Sequence, residues 1–243
     1  MAFAASRRPI AGAVATLGVS DRVSFLRKTY AHLGGALIAF ALIAGGMMRF
    51  MPEVSFGFSK WALQSRFSWL MVMVAFMLVG YIAERLARSE TSRGVQYVGL
   101  GIAVLAEGII LQPLLWVLML KFGGMAAFSI LTQAIVITVS IFVGLTLTVF
   151  ISKKDFSFMR GILVVATFGA LGVILASMAF GFTLGAVFCG AMILLMAGYI
   201  LYQTSYVMRD FPPTGHVSAA LMLFSTIATL FWYVLQLLMS LRE

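Results

Sequence analysis

Residues 170–195 read ALGVILASMAFGFTLGAVFCGAMILL and lie inside an uncharged run that extends from Gly161 to Met208. As one helix, that run would be about 72 Å long at 1.5 Å per residue, more than twice the roughly 30 Å hydrocarbon core of a bilayer. It must therefore fold back on itself, and Phe180, Gly181 and Phe182 form the one break it offers. A tight, uncharged turn there makes two spans out of one run and sets the count for the whole chain at seven.

Elsewhere the breaks are explicit. MPEVSFGFSKWALQSR, ARSETSR, KFGGM, SKKDFSFMR and RDFPPTGH separate apolar stretches at about 29–50, 67–87, 95–120, 127–151, 160–180, 183–207 and 217–240. Pro212 and Pro213 close the sixth span, because proline cannot continue a helix and restricts the residue before it. The 243 residues are 62% hydrophobic and 10% charged, with mean hydropathy +1.06. This is the composition of an integral membrane protein, and the reading is all-α: one polytopic seven-helix bundle over 25–243, with residues 1–24 as a mobile tail.

The formal charge of +9 sits at the ends of apolar segments, where it marks topology and lipid-surface contact rather than nucleic acid. Twelve of the seventeen Lys and Arg residues fall in the N-terminal tail and the even-numbered loops, which predicts a cytoplasmic N-terminus and an external C-terminus. Arg7 and Arg8 precede a short Gly- and Ala-rich stretch without a convincing cleavage site, so the tail reads as retained. Cys189, the single cysteine, is a packing residue in an apolar run. Gly94, Gly101 and Gly108 share a helical stripe, and Gly34 and Gly35 lie in the first span; both sets read as places where helices pack closely.

Ionisable groups away from the ends of spans are the informative ones in a membrane. Glu107, near the middle of the third span, has no basic residue within one or two turns. Such a carboxylate is neutral, paired with another helix, or facing water, which makes it a candidate proton or cation site. His32 and His216, far apart in sequence, read as interfacial side chains and not as metal ligands. No GxSxG turn, phosphate loop or HExxH pair is present, so neither catalytic residues, nor a metal, nor a cofactor is expected. The sixth span ends in LYQTSYVMRD, residues 201–210, where Gln203, Thr204 and Ser205 stand together at the edge of an otherwise apolar helix.

Several segments together resemble the Bax-inhibitor family of seven-helix membrane proteins. They are FLRKTY at 25–30, EGIILQP at 107–113, SKKDFSFMRGIL at 152–163, LYQTSYVM at 201–208 and SAALMLFSTIATLF at 218–231. KKDFSF and the end of span six look most like the bacterial, YccA-like branch, which is associated with the membrane-anchored, ATP-dependent protease FtsH. The resemblance implies a seven-helix bundle of the Bax-inhibitor type in a bacterial inner membrane. It implies a non-catalytic modulator of an FtsH-type protease or of a related membrane stress response, with the tail as handle. It also implies an alternative, a calcium or proton leak. Leak members carry an aspartate pair that senses pH by sharing a proton. Here the first of those positions is Gln203 and the second Thr226, or Ser225 in a shifted alignment, with Thr204 and Thr229 as neighbours. None of these titrates, which leaves a hydrogen bond in place of the sensor and Glu107 as the remaining intramembrane carboxylate.

Overall fold

A computed structural model describes residues 12–89, 92–152 and 154–242, and among these nine α-helices follow one another. They are α1 (Val19–Phe50), α2 (Pro52–Leu63), α3 (Arg66–Ala87), α4 (Arg93–Ile110), α5 (Gln112–Phe122), α6 (Gly124–Ser152), α7 (Met159–Phe180), α8 (Ala186–Arg209) and α9 (His216–Ser240). Seven stretches are long and apolar enough to cross a membrane, α4 and α5 counting together as one. The architecture is the all-α, seven-span bundle expected.

Helix α9 occupies the centre and packs against α8, α1, α6, α4 and α3. Leu223, Phe224, Leu230 and Leu235 on it are fully buried. Phe40 of α1 meets Phe224 and Phe231 edge-on at 5.8 and 6.3 Å, and Trp69 of α3 stacks on Trp232 at 6.2 Å. By contrast α7 buries only Leu163 and packs on α8, presenting Val165, Phe168 and Leu175 outward as a lipid-facing helix must.

The turn that sets the span count lies at Gly181, whose φ of +82° closes α7 in the left-handed conformation. The Arg66 guanidinium lies over it and donates to the carbonyl of Met178 at 3.3 Å, so a Cβ at 181 would meet Arg66 Nη2 at 2.6 Å. Glycine is needed there for its backbone conformation, since the Arg66 tip is the far end of a flexible side chain and can move aside.

Three features add to or depart from the expectations. The first loop contains the twelve-residue helix α2, begun by Pro52 at its first turn. Its buried face, Ser55, Ser59 and Ala62, is spaced for a helix and lies on α5. The third span is broken at Leu111, because Pro113 has no N–H to offer the preceding turn. Finally, residues 12–24 of the expected mobile tail are folded. Val14 is fully buried and donates its N–H to the carbonyl of Phe211 at 3.0 Å, and α1 starts at Val19. Val14, Phe25, Val207, Phe211 and Ala219 form a small second core. Residues 1–11 of that tail lie outside the described residues.

Glycine packing also differs from the stripe expected. Gly108 does lie against α1, where a Cβ would meet Ile43 Cγ2 at 2.6 Å, whereas Gly34, Gly35 and Gly101 have open space. The tightest approach is Gly99, whose Cβ would come within 2.5 Å of both Ala83 O and Ala87 N. A backbone cannot yield as a flexible side chain can. Gly99→Ala should therefore cost about 1–3 kcal/mol despite its better helix propensity, while Gly101→Ala should be neutral or mildly stabilising. Thermal unfolding of the two variants in the same detergent checks this contrast.

The link from α6 to α7 folds over the end of α8. Asp155 Oδ1 accepts from the Ser157 N–H at 2.9 Å and hydroxyl at 2.6 Å, and Oδ2 pairs with Arg209 at 2.7 Å. Partial burial alone would raise the affinity of Asp155 for its proton. The two Ser157 hydrogen bonds and then the Arg209 charge outweigh this and hold the carboxyl below its usual range. A depressed carboxylate adds stability above its unfolded pKa and loses it as pH falls through the folded one. Asp155→Asn should thus cost on the order of 1 kcal/mol at neutral pH, and the deficit should begin to shrink as pH falls through about 4 and vanish only below the depressed folded value. Melting curves of parent and variant across that range measure it.

Candidate functional site

The polar triplet at the end of α8 points in three directions. Gln203, nearly buried, faces α9, where Thr226 donates its hydroxyl to Gln203 Oε1 at 2.9 Å and shares it with the Met222 carbonyl at 3.2 Å. Ser205 accepts the Phe156 N–H at 3.2 Å and so ties the α6–α7 link to the helix. Thr204 is fully buried on the third side, towards the Tyr30 hydroxyl of α1 and Thr146 of α6. None of those three hydroxyls reaches good hydrogen-bond geometry with another group among the described residues.

Thr226, and not Ser225, is therefore the partner of Gln203. Ser225 lies one position round the helix, and its carbonyl accepts from the Thr229 hydroxyl at 2.8 Å, so both neighbours serve the helix itself. A neutral pair of this kind joins α8 to α9 but has no proton to gain or lose between pH 5 and 8. Its chemistry is positional.

Glu107 is separate from this cluster, on α4 one turn before the break at Leu111. Its carboxyl has no hydrogen-bond or ion-pair partner among the described residues. Just beyond it a buried network joins four helices. Gln112 donates to the carbonyls of Ala44 at 3.2 Å and Gly108 at 2.9 Å, and its Oε1 accepts from Ser55 at 2.6 Å. Ser55 in turn accepts from the Trp116 indole at 2.8 Å. Sequence reasoning missed this network, although a glutamine beside a proline inside an apolar span was its visible signal.

The two histidines are not distant. Their ring centroids are 5.1 Å apart, and His32 also stacks on Tyr97 of α4 at 5.4 Å. His32 Nδ1 lies 2.7 Å from the Lys28 carbonyl, which can only accept, so Nδ1 carries the proton and Nε2 accepts from the Tyr97 hydroxyl at 3.0 Å. Among the described residues no group of three His, Cys, Asp or Glu side chains is placed to hold a metal. Cys189 is buried and free, with its thiol 3.8 Å from Gln236 Oε1.

Residues 22–243 match the family described as inhibitor of apoptosis-promoting Bax1. The chain is 29% identical over 235 residues to Bax inhibitor 1 of Schizosaccharomyces pombe, covering 95% of this chain and 81% of that one. Uncharacterised proteins of Pseudomonas aeruginosa and Vibrio cholerae, the second a membrane protein, are each 31% identical over 110 and 114 residues. Those matches take in 45% of this chain and 49% of each relative, so the chain covers about half of their length. No solved structure matches. With a match that runs from the first turns of α1 to the C-terminus and seven helical stretches long and apolar enough to cross a membrane, the chain belongs to the Bax-inhibitor family of integral membrane proteins.

Proposed function

We propose that this chain acts without catalysis, through contacts within the membrane, and that its partner is an FtsH-type ATP-dependent protease. The observation that supports this reading best is the Gln203–Thr226 hydrogen bond. It stands where the family resemblance puts a proton-sharing aspartate pair, and a bond worth about 1 kcal/mol that cannot titrate holds α8 and α9 together without gating them. A fixed bundle with a large apolar outer face on α7 suits recognition better than conduction. The N-terminus, cytoplasmic on the distribution of Lys and Arg, is the handle that a protease on that side would meet.

The test is turnover of a membrane substrate by such a protease in proteoliposomes, with and without the chain. Turnover should slow when the chain is present and recover when residues 1–11 are deleted. Equal turnover in all three preparations would refute the reading.

A second reading is favoured by Glu107, a carboxyl in a spanning helix without a protein partner among the described residues. Here the bundle is a slow cation or proton leak with Glu107 as its ionisable group. Calcium and proton flux into vesicles should then exceed that of empty vesicles and fall to their level with Glu107→Gln. If the first reading holds, the parent is silent. Flux that rises as pH changes should then appear only when Gln203→Asp and Thr226→Asp are combined, since two close carboxylates restore a titrating pair.

A further inference from the structure

Between α1 and α4 runs a groove of about 530 Å³, open along its side. Gly35, Ala36, Ala39, Gly101 and Val104 form its walls, and it owes its width to the two glycines, at which a Cβ would meet nothing within 4 Å. Ile43 closes it at the far end, where Gly108 brings the two helices into contact. From Ala31 to Ile43 the groove follows about 18 Å of helix, close to the depth of one leaflet of a bilayer roughly 30 Å thick.

The open end differs in character. His32 and Tyr97 form its rim, hydrogen-bonded to each other, and His216 lies against His32 from α9. Lys28, one turn outward on α1, and Arg93, one turn outward on α4, are both exposed and stand near enough for their charges to act on His216. Neither has an ion pair among the described residues. An apolar slot one leaflet deep therefore ends in cationic groups and a polar aromatic rim at the level where lipid headgroups lie.

We propose that this groove is a selective site for an anionic glycerophospholipid. One acyl chain lies against Gly35 and Gly101, and the phosphate sits at the rim between Lys28 and Arg93, with the Tyr97 hydroxyl and the His32–His216 pair behind it. Walls of small residues admit a chain, and the paired cations give preference for a negative headgroup. This inference does not depend on the proposed function, since it rests on neither the Gln203–Thr226 pair, nor the face of α7, nor Glu107.

Native mass spectrometry of the full chain in detergent, with phosphatidylglycerol and phosphatidylcholine of identical acyl chains, tests it. Phosphatidylglycerol should be retained about tenfold more, and Lys28→Gln with Arg93→Gln should bring the two lipids to near parity. Gly101→Leu fills the slot and should abolish retention of both lipids with the thermal midpoint kept; Gly35→Leu serves the same end if that variant does not fold. Soluble glycerol phosphate at the same concentration should not displace the lipid. Equal retention of the two lipids by the parent, a preference that survives loss of both cations, retention by a folded slot-filled variant, or displacement by glycerol phosphate would each overturn the proposal.

Discussion

Everything in this bundle follows from how α9 is enclosed. In hydrocarbon there is no hydrophobic force between helices, since lipid is as apolar as leucine, so association depends on close contact of surfaces and on a few hydrogen bonds. Helix α9 meets both requirements. Five other helices cover it, its large side chains interlock with Phe40 and Trp69, and Thr226 fixes its rotation against α8 through Gln203. Helices placed farther out, α7 above all, need satisfy only the lipid.

Polar groups are then confined to places where they organise something. One set, Gln112 with Ser55 and Trp116, fastens the broken third span to α1 and α2. Another, Asp155 with Ser157, Arg209 and Ser205, folds the α6–α7 link over the end of α8. Gln203, Thr204 and Ser205 stand side by side in sequence because the end of α8 is where α9, α1 with α6, and that link all converge. One residue serves each side.

The span count and the Gly181 turn were legible because chain length against bilayer thickness admits few answers. The Gln203–Thr226 pair was legible too, with Thr226 and Ser225 left open, because a single residue step on a helix turns a side chain by about 100° and only packing against α8 chooses between them. What was illegible depends on distance in space. Nothing in the sequence says that His32, Tyr97 and His216 meet, since the contact arises from three helices beginning at the same end of the bundle. Helix α2 was hidden by its charges, which read as a loop although Ser55, Ser59 and Ala62 already had helical spacing. The anchoring of residues 12–24 was hidden because the partner of Val14 lies almost two hundred residues away.

That last contact has a consequence for the order of assembly. Val14 emerges among the first residues of the chain, yet Phe211 and Ala219, which complete its pocket, are made only as the last span follows. At ordinary rates of synthesis the gap is on the order of 10–40 s. Throughout that interval Val14 has no place to dock, and its pocket is complete only once α8 and the start of α9 exist. The docking of Val14 therefore reports whether the membrane bundle has been finished, and a chain that stalls or loses its last span leaves Val14 without its pocket.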